Sequence, residues 1–205
     1  MRDLSALELS NLIERARQGS PDALGELLEL YRSYLQLIAS LQAGEQLQAK
    51  FSPSDLIQAT FLQAQRGFRD FHGNSEGELI TWLRKILASQ LAMEVRRYST
   101  EGRNVRLERQ MHFEMNQSSI LMNAMLAARG NSPSQSAMRR ERAVLLADAL
   151  AKLPENYRNI IVMRHLKGRS FAEIAAHERR TLDSVKSAWQ RAIGKLREML
   201  GDGAL

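Results

Sequence analysis

Apolar residues recur every three or four positions along almost the whole chain, and no apolar-polar alternation runs between hairpin turns. Such a chain buries its side chains by packing amphipathic helices on one another, so the expected fold class is all-α. A length of 205 residues allows one or two domains. With 44% apolar and 25% charged residues, disordered and collagen-like classes are excluded. The absence of cysteine removes a disulfide scaffold, a thiolate zinc site and a cysteine nucleophile, and a reducing cytoplasm is the default expectation. Acids in Met1–Glu8 interrupt what a signal peptide would need. The most apolar stretch, Ile120–Ala128, is broken by Asn123 and is far short of a bilayer span. A soluble chain with no membrane partner is expected.

Helix starts are written plainly. Ser20-Pro21-Asp22 offers an N-cap, a proline at the first helical position and an early acid, and Leu24, Leu27, Leu28, Tyr31, Leu35 and Ile38 follow as one face. Ser52-Pro53-Ser54-Asp55 repeats the signal ahead of a stripe formed by Ile57, Phe61, Ala64 and Phe68. Phe71–Gly77 reads as a loop, and Leu79, Leu83, Ile86, Leu87, Leu91 and Val95 make the next stripe. Residues 99–138 lose the clean period, carry several Met and a Gly130–Ser134 breaker, and read as a flexible linker with one short helix. Periodicity returns through Leu145, Ala149 and Leu153. Three short helices are then expected, from Pro154 to about Leu166, Ser170 to about His177 and Thr181 to about Leu200. The middle one opens with the capping box Ser170-Phe171-Ala172-Glu173.

Charge separates along the chain. Residues 1–98 hold 11 Lys and Arg against 12 Asp and Glu, residues 99–138 hold 4 against 3, and residues 139–205 hold 14 against 8. The basic excess is C-terminal, where it suits a polyanion. It coincides with a capped short helix, a tight turn and a longer amphipathic helix, the helix-turn-helix layout, whose second helix enters the major groove N-terminal residues first. Its exposed start presents Thr181, Asp183, Ser184, Lys186, Ser187 and Gln190 to base edges, while Arg169, Arg179, Arg180 and Arg191 suit phosphates.

These residues carry a resemblance. The stretch Ala149–Arg158, then Phe171-Ala172-Glu173-Ile174-Ala175 and Ser184-Val185-Lys186-Ser187, resembles region four of the sigma-70 family, the reader of the promoter minus-35 element. Asp55-Leu56-Ile57-Gln58-Ala59-Thr60-Phe61-Leu62 and Thr81-Trp82-Leu83-Arg84-Lys85-Ile86 are similar to region two of the same family. Two matches in family order, without further regions, are those of the small extracytoplasmic-function type. The resemblance implies two helical domains, residues 1–98 for core polymerase and the minus-10 element and 143–205 for the minus-35 element, joined by a linker at 99–142. It implies core RNA polymerase (β′ clamp helices and β flap) and promoter DNA as partners. Relatives are often held inactive by an anti-sigma protein, for which no motif is readable here.

Carried over residue by residue, the resemblance assigns polymerase docking to Asp55, Gln58, Phe61 and Leu62. The loop from His72 to Glu78 becomes the pocket for an unstacked minus-10 base, with Asn74, Ser75, Arg84, Lys85, Ser89, Arg96 and Arg97 facing the melted strand. Trp82 reads as a core anchor, because it shares a period with Ile86. Several positions depart from the family pattern: Ser54-Asp55 reduces an acidic pair, and Ser89 replaces a frequent Asn. Arg179-Arg180 replaces a turn glycine and its apolar follower, and Ala188 stands where an arginine is usual.

Two rival functions stand against this resemblance. The four histidines lack metalloprotease spacing, and no phosphate-binding or nucleophile-elbow motif is present, so neither an enzyme nor a cofactor is expected. A helix-turn-helix regulator with an N-terminal sensing or dimerisation domain is the alternative. It has no physical reason to carry the paired N-terminal motifs.

Overall fold

The protein, seen here in a computed structural model, is described over residues 6–42, 52–98, 105–127 and 142–201. Its helices are α1 (Ala6–Arg17), α2 (Pro21–Glu29), α3 (Arg32–Gln42), α4 (Pro53–Gly67, with a 3-10 turn at Phe68–Asp70), α5 (Glu76–Tyr98) and α6 (Val105–Ala127). They continue as α7 (Arg142–Lys152), α8 (Glu155–Ile161, widening into a π turn at Val162–Leu166), α9 (Phe171–Glu178) and α10 (Leu182–Leu200). No strand occurs among the described residues. The caps act where the residue types place them. Ser20 Oγ accepts from the Ala23 N–H at 3.3 Å, Pro53 opens α4 behind Ser52, and Pro154 separates α7 from α8. The series from Leu24 to Ile38 is divided between α2 and α3, because the Tyr31 N–H reaches back only three residues, to the Leu28 carbonyl. Tyr31 is nonetheless fully buried, and its hydroxyl donates to Glu76.

The largest difference from expectation lies in the linker. Val105–Ala127 is a helix of 23 residues, not one short helix, and it packs on α3, α5 and α7. Met111, Met115, Ser119 and Met122 line its buried side, and three flexible methionines fill the gap between neighbouring helices. Residues 99–104 and 128–141, including the Gly130–Ser134 breaker, lie outside the described residues.

One continuous apolar core runs from Leu12 to Leu196. Helix α7 is its hinge piece: Ala143, Val144, Leu146, Ala147, Ala149 and Leu150 are all buried, together with Asp148. Burial at so many consecutive positions requires cover on every face, which α3, α6 and α10 provide. A smaller cluster of Ile160, Met163, Ile174, Ala175, Val185 and Ala188 holds the helix-turn-helix together.

Arg84 corrects the sequence reading. It is only 6% exposed and points inward, where its Nη1 donates to the Tyr34 hydroxyl and to Ser119 Oγ, both at 2.9 Å, and its Nη2 to Thr81 Oγ1 at 3.1 Å. The Tyr34 hydroxyl donates in turn to Ser119 at 3.0 Å, so the guanidinium fastens α3, α5 and α6. It cannot simultaneously face a DNA strand. Arg84→Ala removes these bonds and leaves a cavity, and is expected to lower unfolding free energy by about 2 kcal/mol in denaturant titration. DNA affinity of the folded fraction should not change. Weakened DNA binding at undiminished stability would return Arg84 to the DNA face.

Candidate nucleic-acid interface

The C-terminal surface begins with two consecutive caps. Ser170 Oγ accepts from the Glu173 N–H at 3.2 Å, while the Ser170 N–H donates to Glu173 Oε2 at 2.7 Å. The Ser170 hydroxyl, and then its backbone N–H, hold the Glu173 carboxyl below its ordinary value. Helix α9 ends at Arg179, the one non-glycine residue with positive φ among those described (52°), in the left-handed conformation that glycine usually supplies. A side chain there costs about 1 kcal/mol. Thr181 then caps α10, accepting from the Ser184 N–H at 3.3 Å.

The expected reading residues differ in exposure. Thr181, Asp183, Lys186, Ser187, Gln190 and Arg191 are exposed at the start and along one side of α10, and Arg179 is exposed at the turn. Arg169 and Ser184 are half-buried. Arg180 folds back over α10, its Nη2 donating to Ser184 Oγ at 2.8 Å, so both groups are partly engaged with each other. Ala188 is buried inside the motif and offers nothing to a groove. Behind this face, the Trp189 Nε1–H donates to His165 Nε2 at 3.0 Å, Phe171 packs edge-on to Trp189, and the Arg164 guanidinium lies 4.7 Å from the Phe171 ring centre.

The N-terminal surface is organised around the start of α5. The Ser75 hydroxyl and N–H and the Asn74 N–H all donate to Glu78 Oε2, at 2.8, 3.0 and 2.8 Å. The Ser75 hydroxyl, then the two N–H groups, and last the charge of Arg17, hold the Glu78 carboxyl below its ordinary value, although desolvation opposes them. Beside this loop opens a pocket of about 550 Å³ lined by Phe71, His72, Thr81, Trp82 and Lys85 among others. Trp82 is half-buried and clusters with Phe68 and Phe71, at ring-centre distances of 5.9 and 5.1 Å. It is thus a core anchor, as its period indicates, and also a pocket wall. Ser75 and Lys85 line this pocket, and Asn74 lies in the loop between Gly73 and Ser75. Ser89 and Arg96 continue along α5 half-buried, and Arg97 is exposed in an ion pair with Glu94 at 2.8 Å. Sequence reasoning missed Arg17, which reaches the loop from α1 and has no local motif, and the exposed Met93 between Ser89 and Arg96.

On α4, Asp55, Gln58 and Leu62 share an exposed face, with Leu62 53% exposed. Phe61 does not join them. It is 8% exposed, lies in the core and is covered by the Arg32 guanidinium 4.9 Å from its ring centre, which corrects its assignment as a docking anchor. Among the described residues no group of three or more His, Asp or Glu could hold a metal ion, and no helix is long and apolar enough to cross a membrane.

Desolvation, followed by the charge of Arg164, lowers the His165 value below the ordinary imidazole range. The folded state therefore favours the neutral ring that accepts from Trp189. The contribution is present above the ordinary value of about 6.5 and is lost as pH falls through the lowered folded value. Between about pH 7 and about pH 5 the melting temperature should fall, and the fall should shrink in a His165→Gln variant. An identical slope in both proteins would remove His165 from the coupling.

The sigma-70 region 4 family profile matches residues 143–196. The ECF RNA polymerase sigma factor BldN of Streptomyces coelicolor is 26% identical over 207 residues, covering 98% of this chain and 69% of BldN. The ECF RNA polymerase sigma factor SigW of Bacillus subtilis is 22% identical over 194 residues, covering 93% of this chain and 95% of SigW. The solved structure of CnrH in complex with the cytosolic domain of CnrY aligns with 95% of this chain and 98% of that chain, at 19% identity and a TM-score of 0.32. Residues 143–196 thus match sigma-70 region 4, and the chain is similar over nearly its whole length to sigma factors of the extracytoplasmic-function type.

Proposed function

We propose that the chain acts as an RNA polymerase sigma factor, directing core polymerase to specific promoters and assisting the melting of the minus-10 element. The observation that carries this is the extent of the likeness: both named sigma factors align with more than nine-tenths of the chain. A sensor domain fused to a helix-turn-helix would be alike over the C-terminal part only.

Residues 1–98 take polymerase and the minus-10 strand, residues 143–205 the minus-35 duplex, and 99–142 join them. Asp55, Gln58 and Leu62, at spacings of three and four on α4, offer a polar and apolar docking face to the β′ clamp helices. Lys186, Ser187 and Gln190 face base edges, with Thr181 and Asp183 at the helix start. Arg169, Arg179 and Arg191 meet phosphates, and Arg180 does so after leaving Ser184. The C-terminal domain also meets the β flap. At the other site, the half-buried Trp82 supplies a stacking surface and Asn74, Ser75 and Lys85 supply polar groups for an unstacked base. Ser89, Arg96 and Arg97 follow the strand. Asp55→Ala with Leu62→Ala should weaken co-purification with core polymerase without unfolding the chain. Lys186→Ala with Ser187→Ala should leave co-purification intact and abolish promoter-specific transcription in vitro. If both pairs transcribe normally, the assignment of the two faces is wrong.

The closed packing cannot perform both tasks at once. A compact chain of this length has a radius of gyration of about 17 Å, hence a diameter of roughly 45 Å. Elements about 25 base pairs apart lie roughly 85 Å apart along the duplex. Helix α7 must therefore leave α3 and α6, after which the residues between Ala127 and Arg142 bridge up to about 50 Å. Because the chain lacks cysteine, dyes placed at Glu26→Cys and Lys195→Cys report the separation alone. Energy transfer should be high in the free protein and should drop on addition of core polymerase. Unaltered transfer in an active holoenzyme would refute the opening.

A further inference from the structure

We propose that Arg17 is a positioning residue that fixes which end of the Asn74 amide faces outward, and through it the base preference of the loop at the start of α5. The proposal rests on the reading of that loop as the minus-10 site.

Arg17 closes α1, is about a quarter exposed and reaches across 57 positions of sequence. Its Nη1 donates to Asn74 Oδ1 at 3.1 Å, its Nη2 donates to the Gly73 carbonyl, and its guanidinium lies 5.8 Å from the Phe71 ring centre. A guanidinium has five donors and no acceptor. The amide oxygen must therefore be the end that faces Arg17. A flipped Asn74 would point two N–H groups at a cation. The Nδ2 amino group is left on the opposite side of an exposed residue whose two chain neighbours, Gly73 and Ser75, line the pocket.

The loop cannot swivel to undo this. A Cβ on Gly73 would lie 2.6 Å from the Phe71 ring and 2.9 Å from Glu78 Cβ, so the backbone is already seated against both. The Asn74 and Ser75 N–H groups are held by Glu78 on the other flank. Arg17 grips the Gly73 carbonyl and the Asn74 side chain together, and this orients the amide with its pair of N–H donors away from the guanidinium.

An asparagine reads adenine with both ends of its amide, donating to N7 and accepting from N6. With its oxygen turned to Arg17, Asn74 cannot offer both amide ends to one base, so adenine loses the second bond of the two-ended contact and bases that present a carbonyl oxygen to the amino group are favoured. Asn74→Asp keeps an oxygen for Arg17 and replaces the outward donor by an acceptor, and so favours bases carrying an amino group.

The experiment is transcription in vitro by core polymerase with each chain over templates randomised through the minus-10 element. The wild-type chain should disfavour adenine by about five-fold at one position, the worth of a single hydrogen bond. Arg17→Ala should erase that ratio at this position while preference at the minus-35 element persists, and Arg17→Lys, which still donates to Asn74, should restore part of it. Asn74→Asp should reverse the ratio towards amino-bearing bases. A general loss of stability would scale all templates alike and would not alter the ratio. If Arg17→Ala fails to fold, Asn74→Asp decides alone, since that side chain is exposed. A wild-type preference that survives unaltered in every variant that folds overturns the role of Arg17. The absence of any base preference in the minus-10 element with the wild-type chain overturns the reading of the loop itself.

Discussion

A helix whose residues are buried on every side must be covered on every side, and α7 imposes this condition on the molecule. Its side towards α10 belongs to the helix-turn-helix. Its other side is covered by α3 and α6, which also pack on α5. The proposed opening on a promoter would expose apolar surface at roughly 25 cal/mol per Å². The free protein therefore favours closure, and the enlarged contact with polymerase and DNA must offset that term. Closure and activity are competing covers for the same helix.

The two candidate nucleic-acid surfaces use a common device. At each, a serine and a carboxylate three residues later exchange hydrogen bonds at the beginning of a helix, Ser75 with Glu78 and Ser170 with Glu173. The acid saturates the local donors and fixes the loop before any ligand arrives, so less ordering is needed on binding. The carboxylates are thus structural, and recognition falls to cations, amides and hydroxyls beside them.

Much of this was legible in the sequence because it is local. The starts of α2, α4, α9 and α10 follow from Ser, Thr and Pro at fixed offsets, and the face of α10 follows from its period. What was missed depends on partners distant in sequence. Arg84 looks like one of several cations on α5, yet Tyr34 and Ser119 turn it inward, and neither is visible from the local pattern. Ser119 also explains α6: a hydroxyl in the middle of the methionine stripe breaks the apolar period, and only the buried network satisfies it. Phe61 sits beside the exposed Leu62, and a period alone cannot say how much of a helix its neighbours cover. Arg17 had no motif at all.

Arg179 brings local geometry and charge together. The turn between α9 and α10 needs a left-handed residue, and glycine would take that conformation without the cost of about 1 kcal/mol that a side chain incurs. Strained residues persist where the surroundings dictate them, and they concentrate at functional sites. Nothing around Arg179 is buried by the exchange, since its side chain is exposed. What the arginine adds is a charge at the mouth of the recognition helix, next to Arg180, whose guanidinium is partly occupied by Ser184. The buried Ala188 offers no cation on α10, so Arg179 and Arg180 add their charges ahead of Lys186 and Arg191, and the strained conformation holds the Arg179 charge at the N-terminal end of α10, the end proposed to meet the groove first.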